Sequence, residues 1–379
     1  MEVSETALAM GKLLCVLVVL VILLRLHVNL WLTILAATLV VALTSGITPP
    51  QWPGIVLDVA GSRDFLVLCL MIFLIMLLSG IQDASGQSAR LVDGLKRYLT
   101  KPRIRLVIFP ALVGLLPMPG GALFSCPMID AAAKDMNVSN SQKALINYWF
   151  RHIWEVAWPL YPGYALVCSL LDIPMTLLWQ YTFPLVFLAF GAGWFCYMRK
   201  FSRSPLLDAP SCDGADTTAP GDASPADADR ALAQRDAHAG QTRDGESLAH
   251  VLLNALPIGI TLIGAGFFAV IFDLFFPELP GQLAFSFSLF CAVAVALFQG
   301  RGQMSKSLPQ LVLSRNSGRI LLLLLMVFLF KQCISTSGIV KDISHLGDSS
   351  LLIVLTFIVA PFVSGVLTGI MVAFVGLSF

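Results

Sequence analysis

Residues 115–130 read LLPMPGGALFSCPMID, a run of apolar side chains broken by Pro117, Pro119, Gly120 and Gly121. Proline removes a backbone donor and crowds the preceding turn, and glycine loosens a helix, so a continuous helix fails here. In lipid the freed backbone groups find no water. Such a break persists only where it is buried in protein or lines a watery cavity. Whether the break marks a site therefore depends on whether it lies in a membrane.

Composition places it in one. Of 379 residues, 57% are hydrophobic and 12% charged, with a mean hydropathy of +0.82. A soluble chain of this length needs more charged surface, so the expected class is an all-α polytopic membrane protein whose first partner is the lipid bilayer. A net charge of +1 gives no reason to expect nucleic acid. The eight cysteines are scattered without C-x-x-C or zinc spacing, and most lie in apolar runs as small hydrophobes. No metal or other cofactor is expected, apart from Na+ or H+ as a coupling ion.

Apolar runs of spanning or near-spanning length fall at 8–24, 28–45, 65–81, 160–174, 176–198, 251–276, 282–299, 320–337 and 350–363. The N-terminus lacks a basic leader and a small-residue cleavage site, so it reads as a retained first span. Between them, 201–248 is Ala/Asp/Pro/Gly-rich and almost free of aromatic residues, the composition of a disordered linker. It divides the chain into a first repeat, 1–200, and a second, 249–379.

Basic residues crowd three loops: Arg90 to Arg105, Arg199 to Arg203 and Arg301 to Arg319. By the positive-inside rule these loops and the linker are cytoplasmic and the N-terminus is outside. The two halves then begin with opposite polarity. LMIFL at 70–74 recurs as LMVFL at 325–329, followed by Ser85-Gly86 and Ser337-Gly338. Together these predict two inverted-topology repeats with re-entrant helical hairpins and broken helices. The first half runs about 80 residues past its Gly-Gly break, the second about ten past Gly369, so the repeat predicts a second half shortened by roughly 70 residues.

Parity makes 104–133 a re-entrant hairpin, entering and leaving on one side with Pro117 to Gly121 at its tip. Each arm of about 12 residues spans about 18 Å, enough to reach the midplane. A helix starting after Gly121 offers free N–H groups and a positive dipole end, with Ser125 one turn further in. The plain structural reading is a proline-kinked helix. Ser364, Thr368 and Gly369 in APFVSGVLTGIMVAF occupy the corresponding place in the second half. The bland meaning there is G-x-x-x-G packing.

The densest chemistry is NYWFRHIWEVAWPLYPG, 147–163. A helix entering lipid near Lys143 carries Glu155 about 18 Å deep and Arg151 about 6 Å shallower. Spacings of three and four put Arg151, His152 and Glu155 on one face, with Asn147 a turn below and Tyr161 at the break from Pro159 to Gly163. Ionisable residues within a span point to function, with Arg151 attracting an anion and His152 or Glu155 carrying a coupling proton. The structural alternative is an Arg151–Glu155 pair that only fixes the helix. Lys331 reads as snorkelling, and Trp149, Trp154 and Trp158 as packing or interfacial residues. No H-E-x-x-H, G-x-S-x-G or Walker motif occurs, so an enzyme is not expected.

LPMPGGALFSCPMID, NYWFRHIWE…WPLYPG and VSGVLTGIMVAFVG closely resemble an uncharacterised family of prokaryotic integral membrane proteins, a domain of unknown function grouped with the ion transporter superfamily. Arsenite, citrate, gluconate and dicarboxylate permeases belong to that superfamily. The resemblance covers the chain apart from its linker. It implies paired hairpins, a homodimer, a cytoplasmic (inner) membrane location and elevator-type transport. It also implies a site lined by the hairpin tips and the break at 159–163. Dicarboxylate carriers carry Ser-Asn-Thr at both tips, where this first tip reads Pro-Met-Pro-Gly-Gly, which argues against a dicarboxylate. The expected function is secondary active transport of a small, anionic solute driven by protons or sodium; an ion channel lined by the same broken helices is the alternative.

Overall fold

The computed structural model describes residues 2–26, 28–96, 98–99, 101–115, 121–133, 136, 138–198, 248–276, 278–279, 281–301 and 315–338. The expected linker at 201–248 therefore lies almost entirely outside the described residues, as do Pro117, Pro119, Gly120, Ser364, Thr368, Gly369 and the run at 350–363. Among the described residues all regular structure is helical. In chain order the helices are α1 (Glu2–Arg25), α2 (Leu30–Thr44), α3 (Trp52–Gly61), α4 (Arg63–Ala84), α5 (Gln87–Lys96), α6 (Pro102–Gly114) and α7 (Gly121–Ala133). There follow α8 (Asn140–His152), α9 (Pro162–Leu171), α10 (Met175–Gly193), α11 (Leu248–Phe275), α12 (Gly281–Gly300) and α13 (Arg315–Thr336).

Five stretches, Arg63–Ala84, Met175–Met198, Ala249–Phe275, Gly281–Gly300 and Gly318–Thr336, are long and apolar enough to cross a bilayer, which makes this a multi-pass membrane protein. Four consecutive helices are not long enough. α6, α7 and α8 have 13 residues each and α9 has 10. At about 1.5 Å per residue they reach about 15–20 Å, against a hydrocarbon core of about 30 Å. Proline and capping chemistry set their limits. Pro102 and Pro162 each open a helix, where a missing N–H costs nothing. Ser139 and Gln142 form a reciprocal capping box at the start of α8, with bonds of 3.2 and 3.0 Å. The connection at 46–63 is more ordered than a plain loop: a 3-10 turn, Pro49–Gln51, runs directly into α3.

The chain forms two compact units. The first comprises residues 1–70, 169–172 and 313–379. In it α13 packs on α2 and α3, α1 packs on α2, and Phe65 meets Phe328 edge-on with ring centroids 5.4 Å apart. Lys331 Nζ donates to the Leu170 carbonyl at 3.0 Å, capping an orphan carbonyl in the last turn of α9. The Lys331 side chain is exposed, in keeping with a snorkelling stem, but its ammonium has this fixed partner as well.

The second unit comprises residues 71–168 and 173–312. One cluster packs α6 against α7 and α8. Its core takes Leu106, Val107 and Ala111 from α6, Ile129 and Ala132 from α7, and Ile146 and Phe150 from α8, residues spaced three and four apart on each helix. A second cluster packs α11 on α12 and α5. Lipid is as apolar as leucine, so close packing rather than water exclusion holds such helices together. Gly264 on α11 shows how close: a Cβ there falls 2.4 Å from Ser288 Oγ, which donates to the Ile260 and Thr261 carbonyls at 2.9 and 3.0 Å.

Gly264→Ala is expected to destabilise the purified protein by about 1–2 kcal/mol, read as a lowered melting temperature, because the methyl expels that hydroxyl from its bonds. In a Ser288→Ala background the same change is expected to cost markedly less. Additive effects in that double-mutant cycle would show that the two residues are not in conflict.

Candidate functional site

α8 ends earlier than its sequence suggests. The helix stops at His152, two turns before Pro159, and residues 153–161 form a succession of tight turns. Glu155 N donates to the His152 carbonyl at 3.2 Å, Ala157 N to Trp154 at 3.0 Å and Tyr161 N to Trp158 at 3.1 Å, three-residue spacings, while Trp158 N makes one helical, four-residue bond to Trp154 at 2.8 Å. Pro159 explains part of this: its ring disfavours a helical Trp158 and collides with the carbonyl four residues back, that of Glu155. The single long face expected to carry Arg151, His152 and Glu155 is thus divided. Arg151 and His152 close α8, and Glu155 sits in the turns beyond it. The His152–Glu155 approach survives, at 3.8 Å between Nε2 and Oε1, while His152 Nδ1 lies 2.6 Å from the Tyr148 carbonyl.

The turns serve the end of α6. The Leu115 N–H closes its last turn on the Ala111 and Leu112 carbonyls, at 3.2 Å each, and side chains from the turns supply further donors there. Trp154 Nε1 donates to the Ala111 carbonyl at 2.8 Å, Trp158 Nε1 to Leu115 at 2.9 Å and the Tyr161 hydroxyl to Gly114 at 2.6 Å. The two indoles pack on each other with centroids 5.4 Å apart. Trp149 does the same service elsewhere, donating to the Ala189 carbonyl of α10 at 2.9 Å over Gly193. The tryptophans read as packing or interfacial residues are therefore hydrogen-bond donors to part-buried backbone as well. The sequence signal was present: three indoles and a phenol crowded into the one stretch beside a proline-broken helix.

Gly114 lets the two helix ends meet. A Cβ there falls 2.0 Å from the Arg151 carbonyl oxygen, so only glycine admits this approach of α6 to α8. Ser125 on α7 and Asn147 on α8 complete the polar interior: both are buried, and the Ser125 hydroxyl donates to Asn147 Oδ1 at 2.5 Å. Lys143 and Asp130 pair between the same two helices at 2.9 Å. Arg151 and Glu155 are each within electrostatic reach of the Tyr161 hydroxyl.

Of the sequence-derived candidates, then, Ser125 and Asn147 meet directly. Arg151, His152, Glu155 and Tyr161 gather around the ends of α6 and α8. Gly121 opens α7. The proposed tip residues 117–120 and the second-half candidates at 364–369 lie outside the described residues. No cluster of three metal-ligating side chains occurs among the described residues. What the arrangement offers chemically is a polar interior with one guanidinium, one carboxylate, one imidazole and the carbonyl end of a helix.

Gly114→Ala is expected to be the most damaging single change, costing about 3 kcal/mol, because backbone atoms on both sides must move. Tyr161→Phe and Trp158→Phe each strand one carbonyl and are expected to cost about 1–2 kcal/mol. Thermal unfolding of the purified variants checks the ranking. A Gly114→Ala protein as stable as wild type would mean that α6 and α8 do not meet there.

No curated protein matches the chain in sequence. One family profile does, over residues 6–210, more than half of the chain. Its description is "Protein of unknown function (DUF401)", which names neither substrate nor superfamily. The chain belongs to that DUF401 family.

Proposed function

We propose that this protein is a secondary active transporter of the elevator type for a small anionic solute, coupled to protons or sodium. The observation that carries the reading is the meeting of α6 and α8 at Gly114 and Arg151, with half-length helices on both sides of the contact. Helix ends are costly inside a membrane. A fold that keeps several of them, and spends three aromatic side chains on satisfying one, has a use for them. Arg151 beside the break supplies a cation for an anionic group, preferably a planar one that accepts two parallel bonds. Ser125, Asn147 and Tyr161 supply neutral hydrogen-bonding partners, and the start of α7 at Gly121 a positive dipole end. The His152–Glu155 pair is the place for a coupling proton.

On this reading 104–133 is a re-entrant hairpin, its tip at Pro117, Pro119 and Gly120 faces the solute, and Ser364, Thr368 and Gly369 answer it in an inverted second repeat. The recurrence of LMIFL as LMVFL in the second half supports this, as does the distribution of basic loops. On this reading the protein is a homodimer in the inner membrane, and the basic loops put its N-terminus outside and its linker in the cytoplasm.

Uptake of radioactive anions into proteoliposomes tests the proposal. A transported anion is expected to enter saturably and only under a proton or sodium gradient, with kcat/KM falling about 10- to 100-fold in Arg151→Ala. Glu155→Gln is expected to leave exchange of internal for external solute intact while abolishing gradient-driven accumulation. Flux that neither saturates nor responds to a gradient would make the protein a channel, and uptake indifferent to Arg151→Ala would remove the anionic substrate.

A further inference from the structure

A second polar cluster lies in the same unit, where α4 gives way to α5. After a long apolar run the chain reads SGIQDASGQSAR, and Ser79, Gln82, Ser85, Gln87 and Ser88 are all at most 5% exposed. The helix breaks at Gly86, whose φ of +69° suits glycine, and Ser88 Oγ returns across the break to Asp83 Oδ1 at 3.0 Å. That bond is the Asp83 carboxylate's one hydrogen bond, and the carboxylate has no ion-pair partner among the described residues. The nearest cationic side chain in sequence, Arg90, directs its Nε to Asn254 Oδ1 on α11 at 3.5 Å.

Gln87 adds an independent observation. Its Nε2 donates to the Ala296 carbonyl of α12 at 3.1 Å, which fixes the orientation of the amide, since a flipped group would set two carbonyl oxygens against each other. Oε1 is consequently the other atom of the amide, buried in a residue 1% exposed, and has no donor among the described residues. A buried acceptor left so costs about 1–3 kcal/mol, and a carboxylate without a counter-charge costs more. Gln87 adjoins Ser88, the residue that touches Asp83, and one ligand at this break would remove both costs. A proton on Asp83 removes the charge alone; a ligand that also serves Gln87 Oε1 is positive and prefers hard oxygen donors, and with a single carboxylate in the set a monovalent ion balances the charge.

We propose that the α4–α5 break binds sodium, with Asp83 as its anionic ligand and Gln87 Oε1 and the Ser88 hydroxyl as neutral ones. Asp83 is only partly buried, which leaves the ion a way in. As a binding site this stands without any substrate; as a coupling site it deepens the transporter reading and rests on it.

The experiment is thermal unfolding of the full-length purified protein across a sodium series, at constant ionic strength made up with choline and with no solute present. Retention of radioactive sodium is measured in parallel. Wild type is expected to gain stability saturably, by mass action, and to retain sodium. Asp83→Asn is expected to lose both responses, and Gln87→Met, which keeps the charge, to shift the titration midpoint up about tenfold. Asp273→Asn, on the exposed face of α11, is expected to behave as wild type. Should Asp83→Asn fail to fold, the Gln87→Met midpoint decides. No sodium-specific response in wild type would mean that only water meets Gln87 Oε1, and would overturn the site. So would a response kept in Asp83→Asn or in Gln87→Met, or one lost instead in Glu155→Gln. Sodium binding that persists while Arg151→Ala leaves uptake unchanged would sink the anionic substrate and spare this site.

Discussion

The last carbonyls of a helix must find donors, and much of this structure follows from that requirement at one place. The end of α6 at Ala111, Gly114 and Leu115 is met by Trp154, Trp158 and Tyr161. The donors reach it because the chain after His152 stops being a helix and folds as tight turns beside it. The turns are close enough because Gly114 has no side chain to hold α8 away. Each feature has a purpose only in company: without the turns the indoles do not reach α6, and without Trp158 and Tyr161 the Leu115 and Gly114 carbonyls lose these donors, at a cost of about 1–3 kcal/mol each.

The same requirement explains which parts of the fold were legible in the sequence. Spans such as α4, α11 and α12 announce themselves because lipid admits few alternatives to a long apolar helix. The break after α6 was legible because Pro117, Pro119 and the Gly120-Gly121 pair forbid a continuous helix. The end of α8 was not legible to within two turns. Residues 153–158 have the composition of a helix, and what stops them is partly local, at Pro159, and partly the pull of carbonyls more than 40 residues back in the chain. A pairing over that distance leaves no trace in periodicity. The donor role of the tryptophans was hidden for the same reason, since an indole that packs and an indole that donates look alike in sequence.

Sequence order likewise concealed the cluster at Asp83 and Gln87. Ser85-Gly86 is readable as a repeat marker, and the segment after it as amphipathic. Its polar residues look like the solvent face of an interfacial helix. The structure buries Gln87 and Ser88 and bonds Gln87 to α12, more than 200 residues away. Polarity along a short helix says that some face is wet or bonded, but not to what.

Both polar places, around Arg151 and around Asp83, fall in the unit of residues 71–168 and 173–312. For a carrier this common membership matters more than either place alone. If coupling requires that ion and solute change sides together, the simplest arrangement puts both on one rigid body, so that one displacement exposes or hides both. A body displaced with its ligands absent would carry the Arg151 and Asp83 charges without the compensation those ligands bring, each at a cost of several kcal/mol. Filling both sites cancels those charges, so the loaded and the fully empty states need not face the same barrier. Coupling then needs no wire between the sites; it follows from the cost of moving either charge without its ligand on a body that holds them both.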